Sequence, residues 1–177
     1  LKHDIPFVNL GVHTPFELLN GSFMPDEWIR KAKYLGHTAL GICDYNTMAA
    51  CFMFQKECDA AGIKPVFGYS MTVEAEGFNF GAKVYVQTQR GFRNLLRIQK
   101  AIMVDNVENK TIDISELLKR AEGNVLVLDK YAPTSFTDHE DVIETLTDAF
   151  DGIYYQVDLS EYKAERIDIK VLEATKK

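Results

Sequence analysis

Thr38-Ala39-Leu40-Gly41-Ile42-Cys43-Asp44, followed by Thr47 to Ala61 and then by Ile63 to Val73, decides the fold. The first run is short and apolar, which predicts a buried strand. Thr47 to Ala61 reads as a helix, because it is long and ends on Gly62, a residue suited to the left-handed position past a helix C-terminus. Ile63 to Val73 returns as a strand, with Pro65 near its start, where a missing N–H costs least. Strand, helix and strand in this order predict parallel pairing across a helical crossover.

The same alternation extends outward. Phe7 to Val12 reads as a strand. Pro25 to Leu35 reads as a helix with Pro in its first turn, Asp26 and Glu27 at the positive end and Gly36 past its end. Trp28, Ile29, Ala32 and Leu35 form its predicted apolar face. Met48, Phe52 and Met53 on the next helix read as core packing. Met71 to Glu76 and Phe78 to Thr88 flank Gly77 and predict a hairpin. Gly91 to Met103 reads as helix and Val104 to Lys110 as loop. Asp113 or Ser115 is placed to cap a helix running to Ala121. Asn124 to Leu128 and Ile153 to Val157 read as strands, Asp138 to Phe150 as a helix, and Ser160 onward as a last helix. In the Asp138 helix, Val142, Leu146 and Phe150 share one face. No linker or repeat divides residues 1–177, so one domain is expected. A mainly parallel α/β sheet or barrel follows. A closed eightfold barrel takes about 250 residues, so about six strands here indicate an open sheet or an unfinished barrel.

Composition narrows the function classes. Hydrophobic residues make up 46% and charged residues 26% of the 177, which excludes a disordered chain. The net charge of -6 argues against broad adhesion to nucleic acid or anionic membrane, since both depend on clustered positive charge. Cys43, Cys51 and Cys58 sit in apolar stretches without a CxxC pair, as buried reduced thiols of the cytoplasm do. No apolar run reaches the ~20 residues needed to span a bilayer. The start lacks a signal-peptide core and an initiator Met, which suggests an excised piece.

The chemistry-bearing residues are few. His13 follows the first strand and Asp44 the second, and in parallel α/β folds functional groups gather at strand carboxyl ends. Tyr69 and Ser70 occupy the corresponding region of the third. A catalytic zinc takes about three protein ligands and an open position. His13 and Asp44 supply two, so hydrogen bonding to local turns is the competing role. Arg93, Arg97 and Lys100 fall on one helix face and are candidates for phosphate contact, with a solvated face as the alternative. His139 lies among acids that suit a helix start, and His37 follows a helix-ending Gly.

A longer pattern adds to this reading. Phe7-Val8-Asn9-Leu10-Gly11-Val12-His13-Thr14-Pro15-Phe16-Glu17-Leu18-Leu19-Asn20-Gly21 resembles the opening of a PHP (polymerase and histidinol phosphatase) domain. More narrowly, it is similar to the domain at the N-terminus of bacterial DNA polymerase III alpha subunits. The likeness continues through Ala32 to Gly36, Ile42-Cys43-Asp44, Ala61 to Gly68, Gly91 to Leu96 and Gly152 to Val157. It implies a distorted (βα)₇ barrel, here incomplete at the C-terminal end. Active members hold a cluster of metal ions and hydrolyse phosphoesters.

The resemblance also marks where this sequence departs. The family's His-x-His reads Gly11-Val12-His13, and its Asp-His reads Asp44-Tyr45. A Glu is expected at Ser70 and a His near Gly81. The last ligands of the family would follow Lys177. Gly, Tyr and Ser do not replace imidazole and carboxylate ligands, and Tyr45 would fill room that a metal-bound water needs. The resemblance thus implies a degenerate, non-catalytic module with a structural or protein-binding role in DNA replication. Its expected partners are other replication proteins or the rest of a polymerase chain, with weak or no direct nucleic-acid binding. No cofactor is expected. Two alternatives stay open. One is an active phosphoesterase holding Zn or Mn through a remodelled set that adds His3, Asp4 or His139, or residues beyond Lys177; the other is a stand-alone binding protein. An unfinished barrel leaves open edges, so either the terminal helix covers the gap or the chain self-associates.

Overall fold

The structure is a computed structural model, and it describes residues 7–157. Helix α1 (Pro25–Tyr34) leads into strand β1 (Ala39–Tyr45), helix α2 (Cys51–Ala61) and strand β2 (Lys64–Ala75). β1 and β2 pair in parallel from Ala39 opposite Lys64 to Tyr45 opposite Ser70, which is the predicted crossover unit. Strand β3 (Phe78–Val86) closes the expected hairpin on β2, turning at Gly77 with φ of 84°. Helix α3 (Gln89–Lys100) follows, then a wider π-helical turn (Ala101–Asp105), the two-residue strand β4 (Ile112–Asp113) and helix α4 (Ile114–Leu118). Strand β5 (Asn124–Leu128), the short helix α5 (Ala132–Ser135), helix α6 (Glu140–Ala149) and strand β6 (Gly152–Tyr155) complete the order. The expected helix from Ser160 onward lies outside the described residues.

The six strands form one sheet in the order β1-β2-β3-β5-β6, with β4 also on β2. β1 pairs along Lys64–Ser70 of β2 and β4 pairs beyond it, at Val73 and Glu74, so the two share one edge. β3 runs against both of its neighbours, and β5 and β6 run parallel. The hairpin thus makes the sheet mixed.

The core follows the period-two alternation of the strands. Tyr69, Met71 and Val73 of β2, Phe80, Ala82 and Val84 of β3, and Leu126 and Leu128 of β5 are buried against Leu95, Ile98, Leu117, Leu146 and Phe150 from the helices. A second cluster joins Leu40 and Ile42 of β1 to Ile29 and Ala32 of α1 and to Cys51, Phe54 and Cys58 of α2. The opposite sheet face carries Ser70, Thr72, Gly81 and Lys83, which are half-buried.

Four details depart from the sequence reading. The strand expected at Phe7 to Val12 is reduced to a single bridge from Val12 to Ile42. Gly41 donates to the Asn9 carbonyl and accepts from the Val12 N–H, which places one residue more between those partners than a regular parallel ladder allows. Leu10-Gly11 is therefore a bulge, and the Gly11 N–H turns onto the Asn9 side chain. Second, α2 begins at Cys51, because Asn46 adopts φ of 55° and the chain turns before the helix starts. Third, that start sets the buried face at Cys51, Phe54 and Cys58. Phe52 and Met53 point off it: Phe52 is 81% exposed, and Met48 alone of the three expected packs on the core. Fourth, α1 stops at Tyr34, so Leu35 caps it in an exposed position and does not extend its apolar face.

Candidate functional site

The site is built by one loop and one strand end. After Val12 pairs with β1, residues 13–21 turn back on themselves. The Glu17 N–H donates to the Thr14 carbonyl, and the Asn20 and Gly21 N–H groups donate to the Glu17 carbonyl. Gly21 sits so close to Thr14 that an added Cβ would lie 1.8 Å from the Thr14 carbonyl oxygen. A glycine is thus what allows the loop to close.

Closure brings Glu17 beside His13 and against the end of β1. Glu17 Oε2 lies 2.6 Å from His13 Nδ1 and accepts from the Tyr45 N–H at 2.8 Å. Its other oxygen accepts from Asn20 Nδ2 at 2.7 Å. Asp44, the last buried residue of β1, accepts from the Thr14 N–H and the Thr14 hydroxyl, each at 2.6 Å. One potential ligand atom from each of His13, Glu17 and Asp44 lies within 4.8 Å of the others. Among the described residues this is the one such grouping of three or more metal-ligating side chains. The pair expected from the sequence is brought together, and Glu17 joins it.

Electrostatics distinguish the two carboxylates. Burial pushes the Asp44 carboxyl above its ordinary value, the two Thr14 donors partly offset this, and Glu17 raises it again. Burial also pushes Glu17 up, but His13, the Tyr45 N–H and Asn20 outweigh it and hold the carboxyl below its ordinary range. His13 is the open side, with its side chain 37% exposed.

Of the other expected ligand positions, Ser70 and Gly81 lie on the half-buried sheet face. Gly11 is exposed within the bulge. The Tyr45 hydroxyl reaches from β1 to Thr72 Oγ1 of β2 at 3.0 Å. At Gly81 an added Cβ would fall 2.2 Å from Asp129 Oδ2, so the carboxylate following β5 already fills that volume. Ser70 is opposite Tyr45 in the register. These residues bring no imidazole or carboxylate of their own. The donor set thus fits a single divalent ion, with one ring nitrogen and two carboxylates, and does not fit a cluster of ions.

The remaining candidates stand apart. Arg93, Arg97 and Lys100 are exposed on α3; Arg97 donates to Asn94, and Lys100 pairs with Asp105. The His139 ring stacks on Phe78 with centroids 4.1 Å apart and is not in the His13 grouping. His3 and Asp4 lie outside the described residues.

Comparison with known proteins settles the family. The PHP domain profile matches residues 9–136. The chain belongs to the PHP domain family. It is 34% identical over 144 residues to the DNA polymerase III subunit alpha of Staphylococcus epidermidis, a match covering 81% of this chain and 13% of that protein. The same subunit of Treponema pallidum is 31% identical over 129 residues, covering 66% of this chain and 11% of the relative. The PHP chain described here thus spans about an eighth of the length of these relatives. In structure it is similar to a Bifidobacterium adolescentis protein assigned as a metal-dependent phosphoesterase, with a TM-score of 0.56 at 14% identity, over 82% of this chain and 76% of that one. At that identity the likeness shows the fold, a mixed α/β sheet of the distorted-barrel kind.

Proposed function

We propose that this PHP domain is a non-catalytic module of a bacterial replicative polymerase, acting through protein contacts within the cytoplasm. The observation that carries the reading is the sheet face where a cluster of ions would stand. Tyr45 there is bonded to Thr72, and Asp129 packs onto Gly81. A phosphoester approaching that face at Gly81 meets the Asp129 carboxylate. Lys83, on the same face, donates to Gln156 Oε1 at 2.7 Å. Phosphoester hydrolysis needs positive charge at the phosphoryl oxygens and an activated water; Lys83 supplies a positive charge on this face, but the positions where imidazole and carboxylate ligands are expected hold Gly11, Tyr45, Ser70 and Gly81. The match to polymerase alpha subunits supports the replication setting. Among the described residues, no helix is long and apolar enough to cross a membrane.

The presence of Glu17 favours one rival reading, a phosphoesterase working through His13, Glu17 and Asp44. Hydrolysis of a chromogenic phosphodiester by the 177-residue protein, assayed with added Zn²⁺ or Mn²⁺, separates the two. The non-catalytic reading expects no turnover above buffer. Turnover that disappears in His13→Ala would overturn it. Association of the domain with the remainder of a polymerase chain, read by analytical ultracentrifugation, tests the structural role.

A further inference from the structure

We infer that the outer face of α3 is a docking site for an acidic segment of another protein chain, one that also carries apolar side chains. The inference rests on the non-catalytic reading and deepens it by naming where one protein contact is made.

The charge distribution comes first. Gly77 to Val104 holds Lys83, Arg90, Arg93, Arg97 and Lys100 and no Asp or Glu, in a chain with 26 acidic residues. Arg90, Arg93, Arg97 and Lys100 belong to α3, and their spacing puts them on one helix face. Gly91, Asn94, Leu95 and Ile98 are buried on the other side, so the core fixes which way the stripe points. At 1.5 Å per residue the stripe is about 15 Å long. Its two ends already hold carboxylates: Arg90 pairs with Glu122 at 2.8 Å, and Lys100 pairs with Asp105. Its centre does not. Arg93 has no ion pair among the described residues. Arg97 donates to Asn94 Oδ1 at 3.2 Å, and Asn94 is itself anchored on the Glu122 carbonyl. The Arg97 guanidinium is thus held in place with no carboxylate on it. Leu96, 48% exposed, lies between the two arginines in sequence.

These features favour a peptide over nucleic acid. A phosphate backbone laid along the stripe would meet Glu122 and Asp105 at its ends. The remainder of the chain is more acidic than the net charge of -6 and repels a long polyanion. A short acidic segment needs only the centre. Its carboxylates match the planar guanidinium in paired hydrogen bonds, and an apolar side chain of the same segment would cover Leu96.

The test uses the 177-residue protein and a fluorescein-labelled peptide of alternating Glu and Leu, read by anisotropy. About ten residues more than span the stripe when extended. Saturable binding is expected, weakening as salt rises. Arg93→Glu combined with Arg97→Glu should weaken it at least about tenfold. Both side chains are exposed, so the melting temperature should stay that of the parent. Arg93→Gln with Arg97→Gln, which removes charge without reversing it, should weaken binding less. Lys33→Glu with Lys56→Glu makes the same charge change on α1 and α2 and should bind as the parent does. A peptide with Gln for Glu should not bind, and one with Ser for Leu should bind more weakly. Absence of saturable binding, or equal weakening by the two reversed pairs, would overturn the proposal. So would tighter binding of a single-stranded oligonucleotide of equal charge, which would assign the face to phosphate. Self-association lost in the reversed arginine pair would assign it to a second copy and equally refute the proposal. Phosphoester turnover is not read in this experiment, so the docking site and the non-catalytic reading fail separately.

Discussion

At the scale of single residues, two glycines on the open sheet face make opposite predictions. An added Cβ at Gly68 would meet the Ile42 carbonyl at 2.8 Å and the Tyr85 ring at 2.6 Å. Backbone cannot step aside, so Gly68→Ala is expected to cost about 1–3 kcal/mol in urea denaturation, as overpacking does. At Gly81 the nearest atom is the tip of Asp129, which can rotate outward. Gly81→Ala should cost less, and combining it with Asp129→Ala should remove most of that cost. A loss at Gly81 as large as that at Gly68 would show that Asp129 is fixed in place. Residue-level reading of the sequence reached His13 and Asp44 because both follow strands. It missed Glu17, which sits in a loop where periodicity carries no information. The available signal was the combination of His13, Glu17 four residues on, and Gly21 after that. Its meaning depends on the Thr14–Gly21 closure, which is a three-dimensional fact.

At the scale of elements, boundaries depend on local chemistry. Asp113 caps α4, accepting from the Ser115 N–H at 2.8 Å and from the Ser115 hydroxyl. Those two donors hold its carboxyl below the ordinary value of 3.8. A carboxylate whose folded pKa is depressed stabilises fully above its unfolded pKa and loses that contribution as pH falls through the folded value. Asp113→Ala is therefore expected to cost about 1 kcal/mol at pH 7, and the gap from the parent should close as pH drops below the ordinary Asp range. A gap that stayed constant through that range would assign the cost to something other than the charged cap. Both candidate caps were visible in the sequence, and the structure selects Asp113 with Ser115 as its partner. The longer helices and the hairpin were legible because each has a strong period or a glycine break, whereas the four-residue α5 was not read and α4 ends at Leu118, short of the expected Ala121. The first strand and the start of α2 were not legible either. One is interrupted by a single-residue bulge, and the other is delayed by Asn46 in a left-handed conformation.

At the scale of the whole molecule, the described sheet leaves one face half-buried, and the loop after His13 exposes Phe16, Leu18, Leu19, Phe23 and Met24. Leu19 also adopts φ of 74°, a conformation that leucine rarely takes. Exposed apolar side chains gathered in one segment favour contact with another protein surface. Light scattering of the isolated protein is expected to show an apparent mass that rises with concentration, and Leu18→Ser with Leu19→Ser should reduce the rise. Constant monomer mass across that range would argue against this face. The three cysteines lead to a different kind of consequence. Cys43 lies in β1, and Cys51 and Cys58 lie in α2; all are buried. Burial pushes their thiols up to about 11, 12 and 11, respectively. Folded protein should thus be nearly inert to a thiol reagent at pH 8, where the reactive thiolate is scarce. The α1–β1–α2 half then carries its own clock: the rate at which dye is captured without denaturant measures how often this half opens. Joint capture by all three thiols would mean that it opens as one unit, whereas early capture of Cys51 and Cys58 ahead of Cys43 would mean that α2 peels away first.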